Sequence, residues 1–173
     1  MFDLNDIVLY GAEGIYRIAE ITEMDFKGEK AEYYVLKSLH NDTAVIFVPR
    51  NNPELLAKMR RVLSTDEIHQ VIKEMPDNDL LVWTDDQNTR MKEYKEIILK
   101  GNHREIVKLI KTLYQHRQEQ RKIGKNLHKV DERFLKDAEK LLYDEFAYVL
   151  HIKPEQVLPF IRSQIEMDEK LHA

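Results

Sequence analysis

The chain has 173 residues, of which 43% are hydrophobic and 34% charged, with 27 Lys and Arg against 31 Asp and Glu and no cysteine. This length accommodates one modest domain or two small ones with an apolar core. The lack of cysteine excludes disulfide bridges, thiolate catalysis and Cys-ligated zinc. No stretch approaches the roughly 20 apolar residues of a membrane span, and the first residues lack the pattern of a secretory signal, so we expect a soluble, cytoplasmic protein.

The first fifty residues carry the pattern of short strands. Apolar runs at 7–10, 15–26, 33–36 and 44–48 are separated by turn signals, among them Gly14 and the Lys27-Gly28 pair. Four or five antiparallel strands in this length indicate a small twisted barrel over residues 1–52. Such a small sheet leaves an edge strand, which is a liability unless a partner covers it.

After Pro49 the apolar spacing changes from two towards the 3.6 of a helix. The spacing predicts short helices at 52–59, 65–75 and 89–100, two longer ones ending near Gly124 and Leu150, and a last one after Pro154. Because the connections are short, these helices should pack as antiparallel neighbours around one core. The predicted fold class is α+β, with a small N-terminal antiparallel β-barrel followed by an all-α C-terminal domain over residues 53–173.

The charge is unevenly distributed along the chain. Residues 1–50 carry 5 basic and 9 acidic side chains, whereas residues 101–142 carry 11 basic and 6 acidic ones. The second segment could contact a polyanion such as a phosphate backbone. The alternative is that these residues form the solvated face of a helix.

No group of residues in the sequence indicates catalysis. The chain has five glycines and lacks a phosphate-binding glycine loop, a nucleophile elbow and a zinc-protease motif. Neighbouring carboxylates such as Asp131 and Glu132 do not face each other on a helix. In the first turn of a helix, the helix dipole favours such negative charges. The histidines lie scattered, without the spacing of a metal site, at His40, His69, His103, His116, His128, His151 and His172. We therefore expect a protein without enzymatic activity, cofactor, metal or small-molecule substrate.

A set of short motifs in consistent order covers about residues 1–150. They are Phe2-x-x-x-Asp6-x-Val8-x-Tyr10, Gly14, Lys27-Gly28-Glu29, Tyr33-Tyr34-Val35-Leu36-Lys37, Val48-Pro49, Leu80-Leu81-x-Trp83, Arg90, Lys92, Gly101 and Leu135 to Leu142. This order resembles the CarD/CdnL family of bacterial RNA polymerase-binding transcription regulators, whose N-terminal module also occurs in transcription-repair coupling factor.

The resemblance implies a fold, two partners and a set of site residues. The barrel would be Tudor-like or SH3-like and bind the polymerase β subunit, while the helical domain would contact promoter DNA near the upstream edge of the −10 element. A tryptophan wedge in the minor groove would then stabilise the melted promoter. The implied DNA-binding residues are Trp83, Arg90, Lys92, Lys122, Lys125 and Lys129. The implied polymerase-binding residues are Met24, Phe26, Val45, Ile46, Phe47 and Val48.

Alternatives remain open for both sets of residues. Trp83 could instead be buried in a joint between the two domains. Of the implied polymerase-binding residues, about half should face the barrel core, because successive side chains of a strand alternate between its two faces. Asp85 and Asp86 follow the tryptophan and oppose the approach of phosphates. The second hypothesis for function is therefore an adaptor that grips polymerase or another protein and has lost the DNA-wedge contact.

Overall fold

The computed structural model describes residues 1–171, so His172 of the scattered histidines lies outside the described residues. The chain divides into two compact units, Met1–Val62 and Leu63–Ala173, which we call the N-terminal unit and the helical unit. This division falls later in the chain than the predicted boundary after residue 52.

The N-terminal unit is built on one five-stranded sheet. Its strands are β1 (Ile7–Tyr10), β2 (Ile15–Phe26), β3 (Glu29–Ser38), β4 (Val45–Pro49) and β5 (Met59–Arg61). Their order in the sheet is β4-β3-β2-β1-β5, and every neighbouring pair is antiparallel. The two edges of the sheet are therefore β4 and β5.

The β2–β3 hairpin closes at the turn that the sequence indicates. Lys27 and Gly28 both have positive φ, at 54° and 84°, as a two-residue type I′ turn requires. The Gly28 N–H donates to Asp25 Oδ1 at 3.0 Å. Further along the hairpin the register shifts between Ile18 and Glu20, and such a bulge increases the local twist of the sheet.

The later boundary between the units follows from β5. The helix predicted over 52–59 is only α1 (Pro53–Leu56), which is capped by the Asn52 side chain. The chain then returns to the sheet, where Met59 pairs with Tyr10. Backbone hydrogen bonds to β1 therefore keep residues up to 61 in the N-terminal unit.

The main apolar cluster of the N-terminal unit lies on one face of the sheet. Alternate residues of the strands point to this face, and α1 adds Leu55 and Leu56 at its margin. The buried members of this cluster are Val8, Tyr10, Tyr16, Ile18, Tyr34, Leu36, Val48 and Met59. On the other face, Leu9, Ile15 and Val35 are also buried.

The helical unit begins with α2 (Thr65–Glu74) and continues with α3 (Gln87–Lys100), α4 (His103–Lys122), α5 (Lys129–Leu150) and α6 (Pro154–Leu171). The predicted capping box is present, because Ser64 accepts the Glu67 N–H at 3.2 Å. Gly101 ends α3 in the left-handed conformation, with φ of 66°. Five antiparallel strands followed by helices confirm the predicted α+β class.

One apolar core joins all five long helices of this unit. Its fully buried side chains include Ile68, Tyr94, Leu113, Phe146 and Val157, one from each of α2 to α6. This core leaves the cationic ends of α4 and α5 at the surface. In the described part of the chain, we find no helix with the length and apolar character needed to span a membrane.

Candidate functional site

The predicted polymerase-binding residues divide between the two faces of the sheet. Ile46 and Val48 point into the core, where Val48 is fully buried, so the structure contradicts their assignment as outward contacts. The two residues that alternate with them, Val45 and Phe47, are 40% and 49% exposed. The reason for the correction is the two-residue period of a strand, which sends successive side chains to opposite faces.

The outward residues of β4 share their face of the sheet with apolar residues of the β2–β3 hairpin. Phe47 is the cross-strand partner of Val35, and strand alternation puts Met24 and Phe26 of the β2–β3 hairpin on this same face. Phe26 is 64% exposed and Met24 is partly exposed. We call Met24, Phe26, Val45 and Phe47 the apolar strip. Val45 and Phe47 of the strip belong to β4, whose outer backbone edge pairs with no other strand of the sheet.

Trp83 lies within the helical unit with both faces of its ring covered. The His116 ring stacks on it, with centroids 3.7 Å apart and planes 22° apart, and the Arg90 guanidinium lies 4.4 Å from its centroid. At these distances the two groups must occupy opposite faces. The indole N–H donates to Asp85 Oδ1 at 3.2 Å. These contacts link Trp83 to α3 and α4, and the side chain remains partly exposed.

The turn next to Trp83 is acidic. Asp86 accepts a hydrogen bond from the Thr89 hydroxyl, and this bond holds the pKa of the Asp86 carboxyl below its usual range. The carboxylate therefore stays ionised close to the predicted wedge, where it opposes a phosphate backbone.

Arg90 is buried in an ion pair. Its Nε and Nη2 donate to the two carboxylate oxygens of Asp131 at 3.2 and 2.9 Å, and its Nη1 donates to the Thr84 carbonyl at 2.9 Å. The side chains of Arg90 and Asp131 are only 7% and 2% exposed. This position contradicts the assignment of Arg90 as a phosphate contact, because every nitrogen of the guanidinium already has a partner inside the unit. The arginine instead fixes α3, α5 and the turn before α3.

The remaining predicted DNA-binding residues are on the surface of the helical unit. Lys92 is exposed on α3, and Lys122, Lys125 and Lys129 are exposed around the connection between α4 and α5. These lysines have the accessibility that a phosphate contact requires.

The structure adds cationic residues that the sequence did not single out. A groove of 510 Å³, which we call the α4–α5 groove, lies between the end of α4 and the start of α5. It is lined by Arg117, Arg121, Asn126, Leu127, Lys129, Glu132, Arg133 and Lys136. The available signal was the spacing of Lys129, Arg133 and Lys136, since residues at i, i+4 and i+7 share one helix face.

A second groove adjoins the first at Arg133. It has a volume of 720 Å³ and adds Lys92 and Lys95 of α3 to the cationic surface. Met91 and Phe134 are its apolar lining, and Asp86 contributes one carboxylate. Because Arg133 lines both grooves, cationic side chains of α3, α4 and α5 line two adjoining grooves. Such an arrangement can bind phosphate groups without reading base sequence.

The buried ionisable groups elsewhere in the unit serve its structure. Glu145 accepts the Leu63 N–H at 2.8 Å and pairs with His103 Nε2 at 2.7 Å, which ties α5 to α4 and to the start of the unit. Burial raises the pKa of Tyr94 to about 12, and the charge of Asp131 adds to this effect. Among residues 1–171, no three His, Asp or Glu side chains form a group that could hold a metal ion.

Comparisons with known proteins agree with the two-unit architecture. Residues 2–63 match the family described as CarD-like/TRCF RID domain, and residues 67–162 match the family described as CarD, C-terminal domain. The chain is 24% identical over 161 residues to the "Putative transcription factor YdeB" of Bacillus subtilis (strain 168), and the match covers 92% of this chain and 99% of that protein. CarD-like domains imply interaction with the RNA polymerase machinery, and the two matches support a role in transcription regulation. The chain therefore belongs to the CarD family of transcription regulators.

Proposed function

We propose that this protein acts in the cytoplasm by binding the RNA polymerase β subunit through its N-terminal unit and modulating promoter opening through its helical unit. The helical unit would contact DNA near the upstream edge of the −10 element. The observation that carries the proposal is the apolar strip, which is exposed beside an edge strand in the unit that matches the CarD-like/TRCF RID family.

Physical reasons favour a protein partner for this strip. Phe26, Val45 and Phe47 are large apolar side chains on one face of a sheet, where water contact costs about 25 cal/mol per Å² of apolar surface. Beside them, the outer N–H and C=O groups of β4 can pair with a strand of another protein. A partner that covers both would gain apolar burial together with backbone hydrogen bonds.

Binding of purified polymerase to the full chain tests this contact. Phe47→Glu replaces an exposed aromatic residue of the strip with a charge and should weaken association with the β subunit by more than tenfold. His40→Glu is the matched control, since it adds the same charge to an exposed loop of the same unit. Equal affinity of wild type and Phe47→Glu would exclude the strip as the contact surface.

The DNA contact is assigned to exposed cations of the helical unit. Lys92, Lys122, Lys125 and Lys129 would neutralise phosphates, so affinity should fall with salt. The net charge of −4 opposes binding to free DNA. Docking on polymerase would raise the effective concentration of the helical unit over the duplex. The protein then shifts promoter opening only by the difference in its affinity for closed and open complexes.

Promoter melting by polymerase with and without the protein tests this second contact. Lys92→Ala combined with Lys125→Ala should reduce the stimulation of melting and its salt dependence. The control combines Lys73→Ala with Lys153→Ala, which removes the same charge from exposed sites outside the cationic surface. The assignment fails if both double variants lose the same amount of stimulation.

The wedge role of Trp83 stays a prediction. Trp83 would have to leave the stack between His116 and Arg90 before it could enter a minor groove. Under the wedge hypothesis, Trp83→Ala removes promoter stimulation and leaves β binding intact.

The covered ring and the neighbouring Asp85 and Asp86 favour a second candidate function, an adaptor that binds polymerase without DNA-wedge contact. Footprinting of polymerase–promoter complexes separates the two functions. A wedge changes the reactivity of the upstream edge of the bubble, whereas an adaptor leaves it as it is with polymerase alone.

A further inference from the structure

The α4–α5 groove concentrates cationic side chains that have few carboxylate partners. Some other cations of the helical unit are paired with a carboxylate at short distance, as are Arg104 with Glu74 at 2.8 Å and Lys140 with Asp144 at 2.7 Å. The groove has five cationic side chains and one carboxylate, Glu132, which lies 3.6 Å from Arg117. Within the described residues, no carboxylate lies at ion-pair distance from the other four groove cations, which are Arg121, Lys129, Arg133 and Lys136.

This arrangement costs electrostatic free energy in the empty groove. Like charges held on two neighbouring helices repel one another, and solvent and salt screen the repulsion only in part. A bound anion with several charges removes the repulsion and gains attraction to each cation. The groove is therefore suited to a compact polyanion.

The local geometry also restricts one cation of the groove lining, Arg117. The Arg117 side chain is only 19% exposed and its guanidinium packs 4.6 Å from the centre of the Tyr114 ring, so its position is restricted. Its Nε atom is buried and has no hydrogen-bond partner among the described residues. Lys129, Glu132 and Arg133 belong to the first turns of α5, where the helix dipole favours an anion.

The size and charge of the groove fit a small ligand. Its 510 Å³ falls within the range of about 300–1,000 Å³ found for small-molecule sites. A triphosphate carries about four negative charges in a short length, which matches the excess of cations over carboxylates in the lining. A DNA strand spreads its charges along a line, so it would engage fewer of these residues at once.

We propose that the α4–α5 groove binds the oligophosphate group of a small molecule, such as a nucleoside triphosphate. The bound group contacts Arg121, Arg133 and Lys136 as its main partners, with Arg117 at the inner wall. Lys129 also belongs to the proposed DNA-contact set, so the ligand competes with DNA at this residue. That regulatory consequence rests on the proposed function, whereas the binding site does not.

Calorimetry of the full chain with sodium tripolyphosphate at physiological salt tests the site. We expect saturable binding, with Kd below about 1 mM. Arg133→Ala combined with Lys136→Ala should weaken it at least tenfold. The control double variant, Lys73→Ala with Lys140→Ala, removes the same charge from exposed positions outside the groove and should change Kd less than twofold. Both residues changed in the groove are exposed, so circular dichroism should show the wild-type fold.

Two results would overturn the proposal. One is the absence of saturable tripolyphosphate binding, and the other is equal weakening in the groove and control variants, which indicates diffuse attraction. A separate arm adds duplex DNA as competitor. Displacement of tripolyphosphate by DNA supports the shared use of Lys129. The two proposals can also fail separately. If the wild-type protein binds tripolyphosphate but does not stimulate promoter melting by polymerase, the proposed function is refuted and the groove site is not.

Discussion

Removing Arg90 should be among the most destabilising single changes in the helical unit. Arg90→Ala leaves the Asp131 carboxylate 2% exposed and without its two guanidinium hydrogen bonds. Breaking a buried ion pair from one side costs about 3–5 kcal/mol, because a buried charge stays uncompensated. The lost contact with the Trp83 ring adds about 0.5–2 kcal/mol. We therefore expect a loss of roughly 4 kcal/mol in the free energy of unfolding.

Urea unfolding and thermal unfolding, both followed by the circular dichroism signal of the helices, measure this loss. For a unit of this size, roughly 4 kcal/mol corresponds to a fall in Tm on the order of 15 °C. Removing both partners with Arg90→Ala and Asp131→Ala should cost less than the sum of the single changes, since no lone charge remains. Arg104→Ala is the matched control, because its ion pair with Glu74 is at the surface, where Arg104 is 66% exposed.

Unfolding of Arg90→Ala at the same urea concentration as Arg104→Ala would show that the buried ion pair does not stabilise the helical unit. Additive losses in the double variant would likewise show that Arg90 and Asp131 are not coupled. A stable Arg90→Ala with weaker promoter stimulation would instead support the phosphate role that the structure contradicts.

Three further predictions concern local interactions. Because burial raises the pKa of Tyr94 from 10.0 to about 12, the neutral phenol stabilises the fold below pH 10, and this contribution is lost as pH rises towards 12. Tyr94→Phe should make the free energy of unfolding less dependent on pH between about 10 and 12. The same change of unfolding free energy with pH in wild type and Tyr94→Phe would contradict this. Asn102→Ala removes the cap that accepts the Glu105 N–H at 3.2 Å and should cost about 1 kcal/mol in urea unfolding; no loss would exclude the cap. Val48→Ala should cost about 2 kcal/mol and Val45→Ala far less, since Val48 is fully buried; equal losses in thermal unfolding would contradict the strand register.

The elements with local signals were predictable from the sequence. Lys27-Gly28 has the chemistry of a tight hairpin turn, and Ser64 with Glu67 indicates a helix start. The strand alternation also predicted that only some of the edge residues would face outward. Each of these signals lies within a few residues of the structure that it specifies.

The features that the sequence did not reveal depend on distant parts of the chain. The segment 59–61 has no apolar alternation typical of a strand. It forms β5 because its backbone pairs with β1, which is distant in sequence. Arg90 meets Asp131 across 41 positions of sequence, so its burial could not be read from its own neighbours. The α4–α5 groove likewise exists only after two helices pack side by side.

The stacking of Trp83 on His116 gives the molecule a built-in optical reporter. Trp83 is the sole tryptophan of the chain, so its emission is an intrinsic signal from the helical unit, with no attached dye needed. Contact with the imidazole and the guanidinium makes that emission sensitive to small shifts of α3 relative to α4. Movements of α3 relative to α4 can thus be followed by tryptophan fluorescence of the unlabelled protein.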